Sequence, residues 1–192
     1  MSRISVEELT RIALSVALIA VCSWISVPLM IPVTLQTFAV CLVTALLGLK
    51  SGLWAVAAYI LLGAAGLPLF SGFRGGPAAL LGTTGGYIVG FLFTALSVGL
   101  GVKLFGRRLP VLLISMTLGV LLCYVFGTAW FMVVYTRNSG PVSLGVVLGW
   151  CVLPYLIPDA VKILLASLLT RRLEPVLSRM SRPASGKPRQ NG

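Results

Sequence analysis

The chain has 192 residues, 58% of them hydrophobic, with a mean hydropathy of +1.03 and only 10% charged. Soluble domains average about 25% charged residues, so a water-soluble fold is excluded and an integral membrane protein of one domain is expected, with about six spans of roughly 20 residues each. The net charge of +11 does not point to nucleic acid, because most of the basic residues flank apolar runs or sit in the C-terminal tail; such flanks set membrane topology and touch anionic lipid.

Six apolar segments are predicted, near residues 11–28, 36–49, 52–68, 80–102, 110–135 and 144–170. The first follows Arg3 and Arg11 and resembles a signal peptide, with Cys22 placed as in a lipoprotein. Val21 is bulky where a cleavage site wants a small residue, and more spans follow, so a retained first membrane helix is expected. Ala13 and Ala17 make an AxxxA pattern on it, read either as packing within the bundle or as docking onto another membrane subunit. The connector PVTLQTF, residues 32–38, holds Thr34, Gln36 and Thr37, which serve either as helix caps or as a pocket lid with an amide at Gln36.

The second and third segments are short and joined by the tight turn GLKSG. They are expected to be tilted, broken or shielded by neighbours. Next comes GLPLFSGFRGGPAALLGTTGG, rich in glycine, whose Arg74 either attracts an anionic substrate or is simply solvated. In GTTGGYIVG, Gly82, Gly86 and Gly90 share one helix face at spacing four. This is either a close helix–helix contact or a pocket wall, where Gly85 and Gly86 bring backbone close to a ligand and Thr83, Thr84 and Tyr87 supply hydroxyls. No Lys-Ser/Thr follows, and the chain has no Walker motif.

The last segment contains PYLIPDAVKILLAS. Asp159 is the one acid well inside a span, and Lys162 lies three residues on, on the same helix face. Each such charge costs about 2.5–3.5 kcal/mol at the bilayer centre, so the two are expected to pair. Pro158 suits the first position of a helix, and an acid after it suits the positive end of the helix dipole. The last span is therefore expected to be interrupted near Pro154 and Pro158, as happens where a broken helix lines a cavity. The pair is either an internal salt bridge that locks packing or the polar end of a substrate pocket.

The remaining signals are bland. Cys22, Cys41, Cys123 and Cys151 form no CxxC pair and read as packing residues. There is no histidine, which removes the commonest metal ligand and general base; no metal, cofactor or catalytic residue is expected. Trp54, Trp130, Phe131 and Trp150 read as interface belts and packing. With the N-terminus inside, only Arg74 and Arg137 fall outside and Lys162 lies within the last span, while every other Lys and Arg is cytoplasmic. The positive-inside rule then gives an all-α protein with six transmembrane helices and both termini cytoplasmic. Residues 1–172 form the membrane domain, and 173–192 a basic tail of disordered composition.

Four motifs, PVTLQTF, GAAGLPLF, GTTGGYIVGF and PYLIPDAVK, in that order and spacing, resemble the BioY family over roughly residues 10–170. Two departures are Thr83, where family members often have proline, and Pro158, where they often have glycine. The resemblance implies a biotin-binding S-component of an energy-coupling factor transporter, a multi-pass protein of the cell (inner) membrane. It captures biotin from outside and works with a transmembrane coupling subunit and cytoplasmic ATPase subunits. Ala13 and Ala17 are similar to the pattern that meets the coupling subunit. The expected substrate-binding residues are Asp159, Lys162, Thr84, Tyr87, Gly86, Gln36, Thr34 and Arg74. An S-component for another vitamin and a solitary facilitator are the alternatives; a membrane enzyme or a scaffold fits the residues poorly.

Overall fold

Backbone polar groups find no water inside a membrane, which favours helices along apolar runs. The structure, a computed structural model, describes residues 5–180. In chain order it comprises α1 (Val6–Trp24), β1 (Ser26–Val27), β2 (Val33–Thr34), α2 (Gln36–Ala64), α3 (Pro77–Leu81), α4 (Gly85–Phe105), α5 (Leu109–Ser139), α6 (Leu144–Cys151), a 3-10 turn (Leu153–Tyr155) and α7 (Leu156–Met180). The two short strands pair antiparallel, Ser26 opposite Thr34 and Val27 opposite Val33.

α1 begins earlier than its apolar run suggests. The Ser5 hydroxyl accepts from the Glu8 amide at 3.1 Å, and Glu7 and Glu8 occupy the first turn. Cap and acids together favour a helix start that hydropathy cannot register. Ile12, Val16, Ile19 and Ala20 face the core, whereas Ala13 and Ala17 are exposed beside Leu14 and Leu18. The pair therefore takes no part in packing within the described bundle.

α2 contains a reversal. Gly48 sits at φ 78°, ψ −176°, in the left-handed region that glycine enters without penalty. Beyond it the chain doubles back: a Cβ on Gly52 would lie 2.9 Å from the Thr44 Cα. Gln36 and Tyr59, which a straight helix would hold about 35 Å apart, share a hydrogen bond of 2.5 Å. Segments 36–47 and 49–64 are thus antiparallel arms, turned at the GLKSG that predicts a tight connection. The first arm is shielded by its neighbours, with Ala39, Val40, Cys41 and Ala45 fully buried.

One end of the bundle is tied together around Arg107. Arg107, between α4 and α5, donates from Nε to the Ala45 carbonyl at 2.7 Å and from one Nη to the Leu46 carbonyl at 3.0 Å. These bonds satisfy carbonyls left open where the first arm ends. The other Nη meets Glu174 of α7 at 3.4 Å. Ser51 donates to Glu8 at 2.8 Å, so the start of α1, the α2 turn, the α4–α5 connection and the later part of α7 lie together.

α4 and α5 pack closely through glycine. A Cβ on Gly86 would lie 2.2 Å from the Trp130 Cβ, and one on Gly90 2.8 Å from the Cys123 sulfur. Trp130 also donates to the Gly82 carbonyl at 3.0 Å. In the other direction, Gly127 of α5 admits the Tyr87 ring. Gly86 and Gly90 make the α5 contact, whereas Gly82 lies off that helix face, at the end of α3, and meets α5 only through its carbonyl.

Among the described residues, four helical stretches are long and apolar enough to cross a membrane: Gln36–Ala64, Gly85–Phe105, Leu109–Ser139 and Leu144–Pro175. The protein is a multi-pass membrane protein. Its last stretch is interrupted, as the two prolines suggest, but earlier than Pro158. Helix α6 ends at Cys151, Pro154 lies in the 3-10 turn, and α7 restarts at Leu156. Pro158 therefore occupies the first turn of α7, not its first position; an early-turn proline lacks an N–H that has no helical partner anyway. α7 also runs to Met180, into the stretch expected to be a disordered tail from 173. The remainder of that expected tail lies outside the described residues.

Candidate functional site

At the end opposite Arg107, connections and helix starts converge on a pocket. The β1–β2 hairpin and the start of α2 supply Ile31, Pro32, Thr34, Gln36 and Thr37. The connection after α2 supplies Phe70, Ser71 and Arg74, and α3 supplies Ala79. The α4 start brings Thr84, Tyr87, Ile88 and Phe91; α5 brings Val120, Cys123 and Tyr124; and the α6–α7 interruption brings Cys151, Tyr155, Asp159 and Lys162. The unfilled space, open mouth included, is about 780 Å³.

The charged pair is at its polar end. Asp159 and Lys162 are 5% and 7% exposed, and Lys162 Nζ donates to Asp159 Oδ1 at 2.8 Å. The second carboxylate oxygen accepts from the Tyr124 hydroxyl. Asp159 also lies in the first turn of α7, where the helix dipole favours negative charge. Tyr155 donates to the Ile31 carbonyl, tying the interruption to the β1–β2 hairpin.

A second polar chain starts from Thr34 and Gln36 in the pocket wall. Thr34 donates to Gln36 Oε1 at 3.0 Å, Gln36 Nε2 donates to the Tyr59 hydroxyl, and Tyr59 donates to the Leu69 carbonyl at 3.0 Å. The Gln36 amide is thus oriented by the chain, with one N–H and one lone pair left for a ligand. Leu69 also accepts from Ser23, and Trp24 donates to the Pro68 carbonyl at 2.9 Å. These bonds fix the loop that carries Phe70, whose ring fills the space Gly63 leaves open. Arg74 closes a tight turn, with its Nε on the Ser71 carbonyl at 3.1 Å.

Of the residues expected from the sequence to bind substrate, Asp159, Lys162, Thr84, Tyr87, Gln36, Thr34 and Arg74 all line this one pocket. Gly86 does not: it is buried against Trp130, because its position on α4 faces α5. Tyr87 contributes its ring to the wall, while its hydroxyl pairs with Thr128 at 3.1 Å. Among the described residues, no group of three His, Cys, Asp or Glu is placed to hold a metal.

A sequence profile of the BioY family matches residues 1–179. The chain belongs to the BioY family. Curated relatives agree with that membership. The chain is 38% identical over 169 residues to the probable biotin transporter BioY of Pyrococcus horikoshii, covering 88% of this chain and 96% of the relative. It is 37% identical, with the same coverage, to the biotin transporter BioY of Thermotoga maritima. The fold is similar to a crystal structure described as the S-component for biotin from an ECF-type ABC transporter. The TM-score is 0.78 at 29% identity, over 88% of this chain and 92% of that one.

The BioY motifs do not reach every wall of the pocket. Tyr124 and Cys151 line it outside all four motifs, whereas Phe91 ends GTTGGYIVGF and Tyr155 lies within PYLIPDAVK. The usable signal for Tyr124 was its hydroxyl in the middle of an apolar helix, since a buried phenol needs a partner.

Proposed function

We propose that this BioY-family chain is the biotin-binding subunit of a membrane transporter, not an enzyme. The observation that carries the reading is a buried, mutually bonded Asp159 and Lys162 opening onto a largely apolar pocket. Biotin has a ureido group with two N–H donors and a carbonyl, an apolar thioether ring and chain, and a carboxylate. Asp159 accepts from a ureido N–H and Lys162 donates to the ureido carbonyl. Phe70, Ile88 and Phe91 pack on the apolar portion, and Gln36, Thr34, Thr84 and Tyr87 complete the wall. Arg74, at the rim, attracts the carboxylate. Two or three charge-assisted bonds, at about 1.5–3 kcal/mol each, together with apolar burial are compatible with nanomolar binding.

The positive-inside rule orients the molecule with the Arg107 end in the cytoplasm and the pocket toward the outer face of the cell membrane. Six crossings then follow: α1, the two arms of α2, α4, α5, and α6 with α7. Biotin is the transported ligand, and no cofactor is required. Energy comes from partner ATPase subunits through a membrane coupling subunit, which docks on the exposed Ala13 and Ala17 face of α1. Small residues on that face let another helix approach closely.

Isothermal titration of biotin into the detergent-purified chain tests the reading: tight one-to-one binding supports it, and a folded chain that does not bind overturns it. The docking assignment is separable. Ala13→Leu combined with Ala17→Leu is expected to abolish biotin uptake in cells that supply the coupling and ATPase subunits, with the titrated affinity unchanged. Normal uptake by the double variant would remove Ala13 and Ala17 from the partner interface.

A further inference from the structure

We propose that Tyr124 is a positioning residue that fixes Asp159 as an acceptor for a ligand N–H, and so selects cyclic ureas with that N–H free over analogues with it blocked. The proposal rests on the biotin reading above. It starts from the two donors on one carboxylate. Lys162 holds Oδ1 from the same helix at 2.8 Å, and Tyr124 holds Oδ2 from α5. A carboxylate bonded at one oxygen can turn about its Cβ–Cγ bond. Bonded at both, by donors from two different helices, it cannot turn without breaking a hydrogen bond in a site where water is scarce.

The hydrogen-bond inventory then fixes what the site offers. An ionised carboxylate has about four lone-pair positions. Tyr124 and Lys162 occupy two, and all three side chains line the pocket, so the remaining positions are acceptors for a ligand. The single proton of Tyr124 is committed to Asp159, which leaves the phenol nothing to donate. The free donors beside the carboxylate are the remaining N–H groups of Lys162. The site thus presents an acceptor and a donor side by side, and a cyclic urea presents the complementary N–H and C=O along one edge. Without Tyr124 the carboxylate is held at Oδ1 alone and can turn, and this edge-on match is weakened even though Asp159 remains.

The test is isothermal titration of wild type and Tyr124→Phe with biotin, desthiobiotin and the two ureido N-methyl biotins. Desthiobiotin keeps both ureido N–H groups and lacks only the thioether bridge. Tyr124→Phe is expected to weaken biotin and desthiobiotin about tenfold or more. The N-methyl biotin blocked at the nitrogen facing Asp159 is already weak and is expected to change by less than about threefold. An equal loss for every ligand, or no loss for any, overturns the proposal and leaves the biotin reading standing. A wild type that binds no biotin overturns both. A second measurement introduces Tyr124→Phe into Asp159→Asn: a residue acting through Asp159 adds no further loss there, whereas an additive loss overturns the proposal.

Discussion

Asp159→Asn is expected to weaken biotin binding by about tenfold to a hundredfold while leaving the helical bundle folded. The affinity loss follows from replacing a charge-assisted acceptor, worth about 1.5–3 kcal/mol per bond, with a neutral amide. The stability loss is a separate quantity. Breaking a buried ion pair outright costs about 3–5 kcal/mol because the surviving charge is left uncompensated. Asparagine keeps an oxygen that Lys162 can still reach, so the cost falls below that range. Adding Lys162→Met removes the stranded ammonium and is expected to recover thermal stability without recovering affinity. Titration with biotin and thermal denaturation in detergent read the two effects independently. Unchanged affinity in a folded Asp159→Asn variant would return the pair to a purely structural role.

Gly86→Val is expected to act the other way round, primarily on the fold. Even the first added carbon would lie 2.2 Å from the Trp130 Cβ and 2.6 Å from its Cγ. α4 and α5 must then separate, since Trp130 is also tied to Gly82 through its indole N–H. Overpacking of this kind costs about 1–3 kcal/mol and sometimes more. The expected result is a lower denaturation temperature and a reduced yield of monodisperse protein. A stable variant whose sole defect is weak biotin binding would show that Gly86 belongs to the pocket after all.

The contrast between Asp159 and Gly86 shows what the sequence can carry. Asp159 was legible because a lone acid in an apolar run has a large energetic cost, and Lys162 at the right spacing was the one nearby answer. Gly48 and Gly52 were legible as a turn, since GLKSG interrupts two apolar runs too short to be separate full-length spans. Gly86 was ambiguous: glycine every four residues suits close packing and a ligand wall equally, and only the position of α5 decides. Tyr124 was hidden because its partner lies 35 residues away on another helix, with no local pattern linking the two. α7 starts two residues before Pro158, since a proline is acceptable anywhere in a first turn.

The first arm of α2 has a bearing on how far a captured molecule must travel. Segment 36–47 rises only about 18 Å, well short of a hydrocarbon core of about 30 Å. Its upper end is Gln36 in the pocket wall, and its lower end is the pair of carbonyls held by Arg107. Because the arm is enclosed by protein, no lipid has to match its length. The depth of the pocket is therefore set by the protein's own architecture and is insensitive to bilayer thickness. A solute resting beside Gln36 is separated from the Arg107 end by one short helical post.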